Sequence, residues 1–145
     1  MELDDALALA RATRQSVLTT IRRNGRPQLS NVLHAVTDDG RLRISSTASR
    51  AKVANLRREP WAAVHVDGPS FFSYAVIEGE ASVTPTAADP YDATVEELVD
   101  LYRSLAGEHE DWDDYRRAMV DEGRVVVTIT PARAYGVLPD TLPGL

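Results

Sequence analysis

The chain contains no cysteine. This excludes disulfides, thiolate nucleophiles, Cys-ligated zinc and iron–sulfur clusters together, and it suits a reducing compartment. Lysine occurs once, at Lys52, and the three histidines, His34, His65 and His109, are too far apart to form a local metal motif, so no metal site is expected. No apolar run approaches the roughly 18 residues of a membrane span. The opening stretch MELDDALALARATRQ carries Glu2, Asp4 and Asp5 where a secretory signal would be basic. A cytoplasmic protein with no membrane partner is expected. Also missing are GxGxxG, a Gly-rich loop ending in GK[ST], HExxH and GxSxG, which removes the common dinucleotide, nucleotide, metalloprotease and serine-hydrolase signatures.

What is present fits one globular domain spanning residues 1–145, with 43% hydrophobic and 26% charged residues. The formal net charge of −6 argues against broad nucleic-acid binding. That average hides a split: residues 1–60 hold 11 Arg or Lys against 6 acids, and residues 61–145 hold 5 against 16. A small anion would dock in the first half.

Apolar positions Leu3, Ala6, Leu7 and Ala10 recur at helical spacing and predict a helix to about Thr13. SVLTTI, Ser16 to Ile21, reads as a strand. Asn24-Gly25 follows as a tight turn, then a strand from Pro27 to Ala35, a second turn at Asp38-Asp39-Gly40, and the strand RLRISS. Ser49 to Arg58 predicts a helix ended by Pro60. WAAVHVD and SYAVIEGEASVTP read as strands, the second bending at Gly79. Asp89 is expected to cap a helix that starts at Pro90, carries Leu98, Leu101, Tyr102 and Leu105 on one stripe and stops at Gly107. Asp111 with Asp114 predicts the cap of a short helix through Met119, and RVVVTITP and ARAYGVLP predict two closing strands around Pro131. This order does not repeat as βαβ units. It predicts a mainly β fold, a small antiparallel barrel with peripheral helices.

The segment SSTASRAKVANLRR, residues 45–58, sets hydroxyls ahead of Arg50 and Lys52 at the mouth of a helix. Unpaired backbone N–H groups, hydroxyls and cations converging there suit a phosphate, although an ordinary wet, basic helix start has the same pattern. Arg57 and Arg58 lie beyond the first turn and read as surface or salt-bridge residues. Arg22, Arg23 and Arg26 at the first hairpin offer a second anionic contact. Phe71, Phe72 and Tyr74 form the densest aromatic run, fit either to wall a flat ring or to pack in the core. The acids from Glu108 to Asp114 lack the spacing of a calcium loop and read as a solvated cap.

The strings NGRPQLSNV (24–32), SRAKVANLRREP (49–60), SYAVIEGEA (73–81), LYRSLAGEHEDWDDYRRAM (101–119) and AYGVLP (134–139) carry a resemblance over almost the whole chain. Their order and spacing resemble the actinobacterial F420-dependent reductases of the flavin/deazaflavin oxidoreductase group, relatives of the pyridoxamine 5′-phosphate oxidases. The resemblance implies a split β-barrel with the FMN-binding fold of that group. It also implies a homodimer with two cofactor grooves at the subunit interface. On this chain Arg50 and Lys52 would meet the cofactor phosphate, with Ser45 and Ser46 nearby. Pro27, Gln28, Leu29, Ser30 and Asn31 would line the ring and ribityl part. Phe72 and Tyr74 would come from the partner's wall, and Arg23 or Arg26 would meet the oligoglutamate tail. Several similar proteins have Trp where this chain has Phe72, a difference that bears on pocket shape.

The activity so implied is hydride transfer from reduced F420 to a small conjugated acceptor such as an activated alkene or quinone. The cofactor carries the chemistry, so no catalytic side chain is assigned. Two alternatives keep the fold: an FMN-dependent oxidoreductase, and an F420 carrier without significant turnover.

Overall fold

A computed structural model describes residues 1–141. In chain order its elements are α1 (Leu3–Arg11), β1 (Gln15–Ile21), β2 (Pro27–Leu33), β3 (Ala35–Val36), β4 (Leu42–Thr47), α2 (Ala51–Arg58), β5 (Trp61–Asp67), β6 (Tyr74–Val83), α3 (Ala93–Ala106), α4 (Trp112–Asp121) and β7 (Arg124–Val137). A 3₁₀ turn, Pro139–Thr141, follows. The seven strands form one antiparallel sheet in the order β2-β1-β5-β6-β7-β4-β3. The sheet curls into a half-barrel, so that its first strand, β2, approaches the penultimate strand, β4, without pairing.

Period-two alternation places Leu18, Ile44, Val64, Val66, Ala75, Ile77 and Ile129 on the inner face, all fully buried. Burying each large aliphatic side chain contributes roughly 1.5–3 kcal/mol. The predicted stripe of α1 closes this core with Ala6, Leu7 and Ala10, and Leu56 of α2 joins it. A second cluster on the other side of the sheet packs Val95, Leu98, Val99 and Leu101 of α3 and Tyr115 and Met119 of α4 against Val126 of β7.

Three expectations need correction. The cap of α3 is Asp92 rather than Asp89: its carboxylate accepts the N–H of Val95 at 2.8 Å and also those of Ala88 and Asp89. Asp89 instead accepts the N–H of Tyr91, so Pro90 lies in the turn before the helix. The closing segment is one continuous strand, because Pro131 falls opposite Gly79 where β6 and β7 slip register between Glu78 and Gly79. A bulge needs no N–H from proline, and a Cβ at Gly79 would lie 2.1 Å from the Thr130 carbonyl oxygen. Finally, the strand from Pro27 ends at Leu33. His34 turns into the core, and the chain resumes as β3 against β4.

His34 is fully buried. Its Nε2–H donates to the Ala10 carbonyl at 2.8 Å, so Nδ1 accepts from the Ser16 hydroxyl, also at 2.8 Å. It thereby ties α1 to β1 and β2. Burial holds this imidazole below its usual pKa, against the opposing effect of the backbone hydrogen bonds.

Candidate functional site

The slot between β2 and β4 follows from strand parity. In an antiparallel pair, opposed residues alternate between exchanging both hydrogen bonds and exchanging none. The Arg22 N–H bonds the Arg26 carbonyl and the His34 N–H bonds the Arg14 carbonyl, so Gln28, Ser30 and Val32 direct their amides at β1. The amides of Leu29, Asn31 and Leu33 therefore face outward from the free edge. On β4, the Ala48 N–H bonds the Gly123 carbonyl, which turns the Ser46 and Ile44 amides to β7 and those of Ser45 and Thr47 to the other side. There β3 has already ended, having paired only Leu42 and Arg43.

Two open backbone edges thus border a cavity of about 480 Å³. Of the expected site residues, Asn31, Ser45, Ser46, Arg50 and Lys52 line it together. Arg50 is the N-cap of α2, with extended backbone and no side-chain cap; its carbonyl takes the Val53 N–H, so the Ala51 and Lys52 amides are left for a ligand. Burial, reinforced by the Arg50 charge, holds the Lys52 ammonium below its usual pKa. An anion between the two cations would counter this shift, because its charge favours the ammonium form. Arg57 and Arg58 are turned away, donating to the carbonyls of Thr84 at 3.0 Å and Ile21 at 2.5 Å.

The other expected residues lie elsewhere along β2 and the outer face. Gln28 is half-buried and accepts from the Asn55 amide at 2.9 Å, while the second hydrogen of that amide goes to the Thr20 hydroxyl at 3.1 Å. Asn55 therefore fixes α2, which carries Arg50 and Lys52, to β1 and β2. Ser30 is half-buried and Pro27 exposed on the same strand. Arg23 and Arg26 sit in the solvent-exposed β1–β2 hairpin, with the Arg26 N–H donated to Asn24 Oδ1.

Phe72 and Tyr74 do not reach the cation cavity of their own chain. Phe72 is 47% and Phe71 91% exposed, in a turn stapled by Ser70 and the buried Ser73. That excludes core packing for both rings. Tyr74 stacks on His65 with centroids 5.2 Å apart and planes at 9°. Among the described residues the largest ring cluster is a different one, Tyr102, His109, Trp112 and Tyr115, which braces α3 on α4. There the Tyr115 hydroxyl donates to the Leu98 carbonyl, and burial pushes its pKa up to about 12.

Sequence reasoning missed five lining residues, Val32, Leu33, Thr47, Leu105 and Arg124. Leu105 arrives from the end of α3 and Arg124 from the start of β7, directly opposite Thr47. Only the pairing of β4 with β7, not local sequence, reveals Arg124.

The sequence profile described as pyridoxamine 5′-phosphate oxidase matches residues 3–138. The chain belongs to the pyridoxamine 5′-phosphate oxidase family. Solved structures agree on this split-barrel fold. A conserved hypothetical protein of Mycobacterium tuberculosis is 23% identical at TM-score 0.73, over 100% of this chain and 91% of that one. A structure described as an F420 reductase is 25% identical at TM-score 0.61, over 88% of this chain and 94% of its own. An FMN-binding protein of Nostoc punctiforme related to pyridoxamine 5′-phosphate oxidase shares 15% identity at TM-score 0.58, over 91% and 79%. For this family the donor set of the slot suits a flavin or deazaflavin: cations for a phosphate, hydroxyls for a polyol and edge amides for ring carbonyls. Among the described residues no helix is long and apolar enough to cross a membrane.

Proposed function

We propose that the protein is an oxidoreductase that passes a hydride from reduced coenzyme F420 to a small conjugated acceptor, an activated alkene, quinone or similar compound. The observation that carries this reading is the convergence of Ser45, Ser46, Arg50 and Lys52 on the open slot beside Asn31. The resemblance of the sequence blocks and the F420 reductase among structural neighbours support the choice of deazaflavin. Bound reduced F420 would supply the hydride from carbon 5 of its ring and the acceptor's anion would take its balancing proton from water, so the protein needs neither a nucleophile nor a base.

The chain's own residues bind and orient. Arg50 offers a planar fork to the phosphate and Lys52 a point charge. Asn31 and the edge amides of Leu29 and Leu33 present donors to the ring, with Pro27, Gln28 and Ser30 on the same strand. Arg23 and Arg26 receive the anionic tail. A second copy of the chain covers the apolar outer face, where Leu29 and Tyr135 flank a trough floored by Val17, Ala63 and Val76. Leu29 is 61% and Tyr135 50% exposed, and this dimer would bring Phe72 and Tyr74 to the partner's groove.

FMN is the second reading, favoured by the phosphate-type cavity itself and by the FMN-binding neighbour. Side-by-side titration of the purified protein with F420 and FMN, followed by absorbance and fluorescence, tests both. Saturable F420 binding tighter than FMN binding, with acceptor reduction on turnover, is expected. No F420 saturation at tens of micromolar would sink the proposal, and tight binding without reduction of any acceptor would make the protein a carrier. Sedimentation should give a dimer.

A further inference from the structure

Arg124 stands apart from the other arginines of the chain. Among the described residues its Nε is the one buried side-chain nitrogen or oxygen without a hydrogen-bond partner. Its Nη2 lies 3.0 Å from Glu122 Oε1, and its Nη1 reaches the Ser45 hydroxyl only at 3.5 Å. The placement has a backbone cause. Gly123, at φ +63°, ends α4 in the left-handed region, and its carbonyl accepts the Ala48 N–H, which docks this corner on the end of β4. Glu122 and Arg124 are thereby held on either side of one turn, and Arg124 lines the same cavity as Arg50 and Lys52.

A guanidinium with an unsatisfied buried N–H is only partly provided for, and its one carboxylate partner, 45% exposed, holds it weakly in water. An oxyanion already held by Arg50 and Lys52 is the better partner, because it meets three cations in a partly enclosed site. We infer that Arg124 is the third cation of the anion site, and that Glu122 is its resident counter-ion, displaced when a phosphate-bearing ligand enters. Glu122 therefore lowers affinity while keeping the empty site from carrying three uncompensated charges. This rests on the cofactor reading above. The ligand chemistry is a phosphate ester, monoester in FMN and diester in F420.

Equilibrium titration of the full chain with F420 and, separately, with FMN tests the inference at low and high salt. Arg124→Ala should weaken binding of whichever cofactor the wild type takes by roughly tenfold or more. Arg124→Lys should recover part of that loss, and Glu122→Gln should tighten binding severalfold, most clearly at low salt. A merely structural role for the pair would not give opposite signs at its two members. Wild-type affinity in Arg124→Ala alongside a loss in Arg50→Ala overturns the inference and leaves the cofactor reading intact. Weaker binding in Glu122→Gln also overturns it, and this variant decides the matter if Arg124→Ala does not fold. Failure of the wild type to bind either cofactor overturns both.

Discussion

Removing the Asn55 side chain should cost both stability and the alignment of the slot. Its amide nitrogen has two hydrogens, and both are used, on Thr20 Oγ1 at 3.1 Å and Gln28 Oε1 at 2.9 Å. Its oxygen accepts from Arg58 Nη2 at 3.2 Å. Asn55 is 6% exposed and Thr20 fully buried, so water does not readily replace these partners. At about 0.5–1.5 kcal/mol for each of the two amide bonds, with a small term for the space left behind, Asn55→Ala should destabilise the fold by about 2–3 kcal/mol. For a chain of this size that corresponds to a fall in Tm of about 5–10 °C. Urea unfolding would give the free energy. A double-mutant cycle with Gln28→Ala should show coupling of about 1 kcal/mol. Because the same bonds join the helix of Arg50 and Lys52 to β2, cofactor affinity should fall severalfold in the folded variant. A loss below about 0.5 kcal/mol, or strict additivity with Gln28→Ala, would refute this account of how helix and strand are aligned.

Arg50→Ala and Lys52→Ala should each weaken cofactor binding by about 1–3 kcal/mol in titrations. Glu97→Ala should leave affinity unchanged, since Glu97 pairs with Arg43 at 2.6 Å away from the slot; equal effects in all three would dismiss a local anion site. His34 has a lowered folded-state pKa, so the unfolded chain binds the extra proton first as acid is added. Its contribution to stability is full above the ordinary value of 6.5 and fades as pH falls from there toward the folded-state pKa. Urea midpoints between pH 7.5 and 5 should drop in the wild type and drop less in His34→Gln; parallel slopes would exclude His34 as the cause. Gly79→Ala drives a methyl into the Thr130 carbonyl and should cost about 3 kcal/mol, read as a loss of unfolding free energy.

Much of this architecture was legible along the chain because it is locally encoded. The α1 stripe, the Asn24-Gly25 turn and the alternation in β5 and β6 each follow from spacing, and Asp111 caps α4 as expected by accepting the Asp114 N–H. Errors arose where a distant partner decides. Pro131 looks like a strand break until Gly79 is placed opposite it, and Asp89 looks like a cap until Asp92 collects three amides. The same division holds at the site. Ser45, Ser46, Arg50 and Lys52 lie within one short segment whose polar pattern is visible, whereas Arg124 and Asn55 matter only through contacts 79 and 27 residues away along the chain.

The free edge of β2 has a consequence for the protein's behaviour in solution. An edge that offers the Leu29, Asn31 and Leu33 amides to a ligand offers them equally to a strand of another molecule, and Leu29 and Leu33 add greasy flanks. Among the described residues the guards are at the hairpin end, where Pro27 lacks a donor and Arg26 brings charge. On the proposed cofactor reading, protein stripped of its ligand would be the form most prone to edge-to-edge aggregation, and a bound small molecule would act as a plug against that self-association.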